Sequence, residues 1–439
     1  MNLTEALCPI CQATIKATKV QEGQNVYLEK DCPTHGHFKT LIAKDAARFF
    51  DQTYDVPGKS FQASVKFKGH CGPDCGWCEQ HRQHICTGLI EITNACNLNC
   101  PICYFGEKGP THISLEEFKE RLATLIQVEQ GKLDVLQISG GECLIHPEFI
   151  PILKHALKAK VGRILVNTNG LGLLQDEAIF KLIARHKDQV EIYLQFDGLD
   201  DHIYQALRGR PLLAEKMAII KKLQEHKIKI CLAVTVYQEN LGQIPAILDL
   251  AIKTKHISGI TFQRMTKVGR ATGSSLPSVL QEDILLALAN SGHMSYQDLI
   301  PLPCSHPNCT SLGFLFCQGD KVYSLGDYID FTKCKDKISN RIAFDQTILD
   351  YMRKNVCKCF VGKVLGSSFM LDKLQTFAQG KGSCHHDMKI IRIIVKNFMD
   401  ADNFDWERAQ KCCTGVAVGK NRIIPFCVHN ALKEKINWD

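Results

Sequence analysis

Cys96, Cys100 and Cys103 stand in the stretch Cys-Asn-Leu-Asn-Cys-Pro-Ile-Cys. Three thiolates on one short loop can hold three irons of a [4Fe–4S] cluster. One iron then stays open and can bind a small molecule instead of only relaying electrons. A closed zinc tetrahedron would want a fourth nearby Cys or His, and the loop has none; Cys86 is a whole strand away. Further thiols flank this loop. Cys71, Cys75, Cys78 and Cys86 form a four-thiolate set that suits a closed [4Fe–4S] cluster, with zinc as the alternative. Cys8, Cys11, Cys32 and His35 have the CxxC…CxxH spacing of a mononuclear ribbon site for zinc or rubredoxin-like iron. Cys304 and Cys309 lie on one loop and pair with Cys427 and one of the adjacent Cys412 and Cys413. Neighbouring side chains diverge, and Cys413 is favoured because it is nearer the segment returning to Cys427.

The elements that position these groups are legible from periodicity. After Gly88, strands are expected near 89–93, 134–139, 163–167, 190–196, 228–237 and 259–263, alternating with helices. Ser114 and Glu117 make a capping box opening one helix, and Ser278 and Gln281 suggest another. Six β-then-α units in series require parallel strands and right-handed crossovers. The fold class is therefore α/β, a partial (β/α)6 TIM-type barrel with an N-terminal metal ribbon and a C-terminal iron–sulfur domain. The expected division is 1–60 ribbon, 61–87 auxiliary cluster segment, 88–275 barrel and 276–439 C-terminal cluster domain. Barrel sites sit at the C-terminal ends of strands, where the three-cysteine loop falls. The apolar run Lys389–Val395 reads as a strand of the C-terminal domain.

The motifs at the strand ends resemble the radical S-adenosylmethionine (SAM) superfamily. Ser139-Gly140-Gly141-Glu142 follows the second strand, like that family's GGE motif. Thr168-Asn169-Gly170 ends the third, and Gln195-Phe196-Asp197-Gly198 ends the fourth. The resemblance implies that Gly140, Gly141 and Glu142 receive the methionine amino group of SAM. It also implies that Ile102 packs near adenine and that Thr168, Asn169, Gln195 and Asp197 line the remaining contacts, with Arg208 a further candidate. The implied chemistry is reductive cleavage of SAM to a 5′-deoxyadenosyl radical at the cluster of Cys96, Cys100 and Cys103. The flanking features resemble one branch, the archaeal tetraether lipid synthases and the pterin methyltransferases of methanogens. They are the CPxC…CPxHG opening, the CGxCxxHxxxxC stretch, the PCSHPxC loop, Asn397–Asp400 and the closing KCC…PFC. That branch carries several iron–sulfur clusters and forms carbon–carbon bonds. Two auxiliary clusters and one mononuclear zinc or iron follow from the resemblance. Cys143 and Thr414-Gly415 depart from the branch pattern, and Cys317, Cys334, Cys357, Cys359 and Cys384-His385-His386 are left unplaced.

Composition bounds the rest. The 439 residues include 22 cysteines, fewer than the roughly 8–10% of a disulfide scaffold, and they are clustered, as metal ligands are. Mean hydropathy is −0.10, and no apolar run approaches the roughly 20 residues of a membrane span. Net charge is +7 from 53 basic and 46 acidic residues, without long basic runs, so nucleic acid is not the expected partner. The expected substrate is a small molecule or a lipid, joined to carbon by alkyl coupling or methyl-type transfer. A low-potential donor such as ferredoxin or flavodoxin would supply electrons. The expected compartment is a reducing, oxygen-poor cytoplasm, with peripheral membrane association if the substrate is a lipid. Two alternatives are a radical modifier of RNA or protein, and a non-catalytic iron–sulfur relay or redox sensor. A relay needs no open cluster position beside a GGE and a TNG loop.

Overall fold

Alternation within the first fifty residues produces an antiparallel meander. A computed structural model describes residues 2–67, 76–106, 109, 111–340 and 388–433. Cys71, Cys75, Cys357, Cys359, Cys384, His385 and His386 lie outside the described residues. The meander is β1 (Asn2–Leu7), β2 (Thr14–Glu22), β3 (Asn25–Cys32) and β4 (Gly36–Ala43), paired in that order. Alternate residues Val26, Leu28, Lys30 and Cys32 of β3 face inward. Its apolar clusters are small, Ala6 with Ala17 and Leu28, and Val26 with Ala43, Ala46 and Phe49. So little buried area leaves such a module dependent on metal for its stability.

The barrel is β5 (Thr87–Glu91), β6 (Leu133–Ser139), β7 (Val161–Thr168), β8 (Val190–Gln195), β9 (Lys229–Val236) and β10 (Ile257–Arg264). Each pairs in parallel with the next. The helix Leu115–Val128 starts at Ser114 with the expected reciprocal bonds to Glu117. Its buried face, Phe118, Leu122 and Leu125, covers the sheet. The second expected capping box does not form. The helix starts at Gln281, Asp283 accepts from the Leu280 amide at 2.9 Å, and the Ser278 hydroxyl instead donates to the Met265 carbonyl at 3.1 Å.

Residues beyond the sixth unit extend the same sheet. The run around Ile391 forms β14 (Met388–Lys396), which pairs in parallel with β10 and is fully buried at Ile391, Ile393 and Val395. The edge of β10 would otherwise leave its ladder groups unpaired. Beyond β14 lie β12 (Thr310–Gln318), antiparallel to it, then β11 (Ile300–Pro301), with β13 (Lys321–Ser324) also on β12. At the opposite end β15 (Thr414–Gly419) pairs in parallel with β5 and antiparallel with β16 (Arg422–Pro425). The curved sheet therefore has two flanks, each carrying cysteines of the C-terminal third.

The ribbon docks on the C-terminal segment through buried charge. Lys30, 1% exposed, donates to the carbonyls of Leu7, Ala401 and Asp402 at 2.8, 2.7 and 2.9 Å. Lys19 pairs with Asp405 at 2.8 Å.

Candidate active site and metal centres

The loop after β5 carries Cys96, Cys100 and Cys103 at the C-terminal end of the barrel. Two glycines let it settle there. A Cβ on Gly140, whose φ is +143°, would stand 2.4 Å from the Thr93 carbonyl oxygen, and one on Gly141 would stand 2.3 Å from that of Ala95. The amides of Gly141 and Glu142 donate to those same carbonyls at 2.8 Å each. The close approach that glycine permits here is to the cysteine loop's own backbone.

Glu142 is 1% exposed and accepts from the Thr168 hydroxyl at 2.6 Å, the Asn169 amide at 2.7 Å and the Leu144 amide at 3.1 Å. Burial pushes its carboxyl above the ordinary value, against those three bonds. It braces the loop after β7. The Asn169 side chain reaches back to Asn97, donating at 2.7 Å. At the end of β8, Asp197 is fully buried and clamped by Arg208, whose Nε and Nη2 donate at 2.6 and 2.7 Å. Arg208 also donates to the Ile102 carbonyl at 3.2 Å. Ile102 packs against Ile203, Leu207, Tyr237 and Met265.

Lys216 was not visible in the sequence as a site residue, because on a helix of mixed polarity it reads as solvated. It is 0% exposed, and its Nζ donates to the Asn169 carbonyl at 2.6 Å and the Gln195 side-chain oxygen at 2.7 Å. Burial lowers its pKa to about 7. Gln195 in turn donates to Asp197. One buried polar chain thus joins Glu142, Asn169, Lys216, Gln195, Asp197, Arg208 and Ile102, tying three strand ends to the cysteine loop.

The barrel interior is a cavity of about 1050 Å³ whose wall includes Cys103, Gln137, Asn167, Tyr193, Gln263 and Lys396. Tyr104, Phe398 and Phe426 cluster on the same wall, with ring centroids 6.2, 5.8 and 4.7 Å apart.

Cys8, Cys11, Cys32 and His35 come together with ligand atoms all within 4.8 Å. His35 faces the thiols with Nδ1, 3.7 Å from Cys8 and 3.5 Å from Cys32. Burial would raise the Cys8 thiol, but the amides of Cys11 and Ile10 hold it at about 6, which favours the thiolate a metal needs.

The remaining thiols are redistributed relative to the sequence expectation. Cys86, Cys304 and Cys413 close to within 4.8 Å of one another. This draws one residue from the expected Cys71, Cys75, Cys78 and Cys86 set and two from the Cys304, Cys309, Cys413 and Cys427 set. The cause is backbone pairing. The amides of Cys86 and Thr87 both donate to the Cys413 carbonyl, at 2.9 and 3.1 Å, as β15 joins β5. Cys309 instead accepts from Arg408 Nε at 3.5 Å, and Cys427 from the Met399 amide at 3.5 Å. Cys412 turns to the Thr414 carbonyl at 3.3 Å. Cys143 is buried and donates to the Asn167 carbonyl, and Cys231 is core.

Residues 90–251 match the family model of the radical SAM superfamily, and residues 1–44 match that of the HMPTM N-terminal zinc ribbon domain. Residues 90–251 are a radical SAM domain. It is 27% identical to a 7,8-dihydro-6-hydroxymethylpterin dimethyltransferase of Methanocaldococcus jannaschii, over 98% of this chain and 93% of that protein. It is 28% identical to the antilisterial bacteriocin subtilosin biosynthesis protein of Bacillus subtilis, over 48% of this chain and 47% of that one. Among solved structures, Streptococcus suis SuiB bound to S-adenosylmethionine aligns with a TM-score of 0.42 and 16% identity, covering 48% of this chain and 47% of that one. This radical SAM enzyme uses SAM, [4Fe–4S] clusters and a ribbon metal ion. Among the described residues, no helix is long and apolar enough to cross a membrane.

Proposed function

We propose that this radical SAM enzyme forms a carbon–carbon bond by methyl-type transfer to a pterin-like heteroaromatic. The observation that carries the substrate class is the polar lining of the barrel. Gln137, Asn167 and Gln263 line the cavity, together with the aromatic cluster of Tyr104, Phe398 and Phe426. A flat ring with amide-like edges satisfies both. Asn167 donates to the Ser139 hydroxyl at 2.9 Å and Gln263 to the Tyr193 hydroxyl at 2.6 Å, and a saturated lipid tail would offer the remaining donors and acceptors of these carboxamides no partner. The end-to-end match to a named pterin dimethyltransferase supports the same reading.

In this proposal Cys96, Cys100 and Cys103 hold the cluster, which with SAM supplies a carbon-centred radical. Gly140, Gly141, Glu142, Thr168, Asn169, Gln195, Asp197 and Ile102 shape the SAM cradle, largely by fixing one another. The ribbon ion is held by Cys8, Cys11, Cys32 and His35. Cys71, Cys75, Cys78 and Cys86, with Cys304, Cys309, Cys413 and Cys427, supply the auxiliary clusters. Electrons come from a ferredoxin- or flavodoxin-type donor in a reducing cytoplasm, and the four-part division at 60, 87 and 275 describes the units, with β14 and β15 extending the open barrel sheet at its two edges. The test is anaerobic incubation with SAM, dithionite, a one-carbon donor and 6-hydroxymethyl-7,8-dihydropterin. Mass spectrometry should find the pterin heavier by one methyl-type unit; an unchanged pterin alongside modified lipid extract would refute the substrate class.

A further inference from the structure

We infer, on the pterin-like reading above, that the Glu91 carboxylate selects the substrate by accepting hydrogen bonds from a ring edge with adjacent N–H donors, the 2-amino and N3–H groups of a pterin. Side chains of a strand point to opposite faces in turn. In β5, Thr87, Leu89 and Glu91 line the barrel cavity, while Ile90 packs in the core. Glu91 is the last residue of β5, next to the cysteine loop, and Cys103 and Tyr104 share its wall. Among the described residues, the other carboxylates on that wall are Asp134, Asp188 and Asp336. Asp134 stands at the start of β6 and Asp188 just before β8, at the opposite end of the barrel, and Asp336 lies outside the barrel strands. Glu91 is therefore the carboxylate at the end where the cluster loop and the cavity meet.

The C-terminal segment fixes this carboxylate and leaves half of it open. Phe426 and Asn430, one turn apart on the helix Phe426–Ala431, both line the cavity. His429, on the same turn, is 1% exposed, and its Nε2 lies 3.2 Å from Glu91 Oε2. Lys433 donates to the same oxygen at 3.3 Å, and its Nζ stands 3.9 Å from the centre of the Phe105 ring. Both contacts fall on Oε2. Among the described residues Oε1 takes none, and the side chain is 18% exposed. Burial would raise the Glu91 carboxyl, but His429 and Lys433 hold it at about 2, so it is an anion at neutral pH. An ionised carboxylate only accepts, and this one is oriented before any ligand arrives.

The surrounding wall divides the labour of recognition. Tyr104 and Phe426, with ring centroids 5.8 Å apart, share the wall with Glu91. Aromatic faces hold a flat ring whatever its substituents. A fixed carboxylate prefers the ring whose edge donates to it, because such hydrogen bonds are charge-assisted. An analogue lacking one donor leaves a buried charge poorly paired, which is how a polar site rejects a near-isostere.

The test uses the full chain, reconstituted anaerobically with iron and sulfide, and reads binding by fluorescence quenching. The ligands are 6-hydroxymethyl-7,8-dihydropterin and its analogue with hydrogen in place of the 2-amino group. Wild type should bind the dihydropterin about tenfold more tightly than the analogue, a comparison that needs no variant to fold. Glu91→Gln, checked for iron content and for SAM affinity by calorimetry, should lose that preference and bind the dihydropterin about tenfold more weakly. Equal binding of the two ligands by wild type would overturn the inference, as would wild-type dihydropterin affinity in Glu91→Gln. Weakened SAM binding with dihydropterin affinity kept would assign Glu91 to the cofactor and overturn it too. A wild type that binds neither ligand would overturn the pterin-like reading itself, and this inference with it.

Discussion

Replacing Arg208 with Met removes the partner of a fully buried carboxylate. Asp197 is 0% exposed and receives two Arg208 nitrogens at 2.6 and 2.7 Å. Removing one member of a buried ion pair costs about 3–5 kcal/mol, because the other charge is left without compensation. Asp197 would keep the Thr235 amide, at 3.1 Å, and the Gln195 side chain, so the lower end, about 3 kcal/mol, is expected. Part of the loss falls on the cysteine loop, since Arg208 also holds the Ile102 carbonyl. Urea unfolding under argon, followed by circular dichroism at neutral pH, should show that drop. Titration calorimetry should show SAM binding weakened about tenfold, equivalent to about 1.4 kcal/mol. The double variant Asp197→Asn with Arg208→Met removes both charges of the pair and should recover at least half of the lost stability. An Arg208→Met protein as stable as wild type, or a double variant no better than the single, would refute the reasoning.

The other expectations follow the same geometry. Gly141→Val puts side-chain carbon on the Ala95 carbonyl and should cost the SAM cluster, about four irons, with the dichroism spectrum kept; full iron would show that the approach is not tight. Lys216 has a folded pKa of about 7 against roughly 10.4 unfolded. The folded protein therefore binds fewer protons between those values, and stability should rise with pH across that window. Lys216→Met should lack that rise, and equal slopes for both proteins would assign it elsewhere. Cys8→Ser should lower the unfolding midpoint and soluble yield while leaving turnover per folded molecule near wild type. A stable but inactive Cys8→Ser would instead make the ribbon part of the electron path. Phe398→Ala should weaken binding of a dihydropterin measured by fluorescence quenching by about 1 kcal/mol, the scale of one aromatic stacking contact.

The barrel was readable because its strands are short apolar runs separated by helices with clear start signals. All six lie where alternation placed them. The strand at Ile391 was readable too, but not its partner, since pairing with β10 is decided by which edge stays open. Ser278 followed a local capping rule, but its hydroxyl was taken by the Met265 carbonyl, a tertiary contact that spacing does not reveal. The cysteine loop and ribbon were legible because their ligands are close in sequence. The grouping of Cys86 with Cys304 and Cys413 was not, because it depends on two flanks of one sheet meeting. Lys216 carries no local signature at all, and only burial against acceptors shows what it does.

In the proposed function Cys96, Cys100 and Cys103 hold the cluster at which SAM is cleaved. Anaerobic protein with SAM and dithionite should release 5′-deoxyadenosine, quantified by liquid chromatography and mass spectrometry. The variant with all three cysteines changed to Ala should release none, while its ribbon metal is retained. Release at the wild-type rate from that variant would contradict the claim.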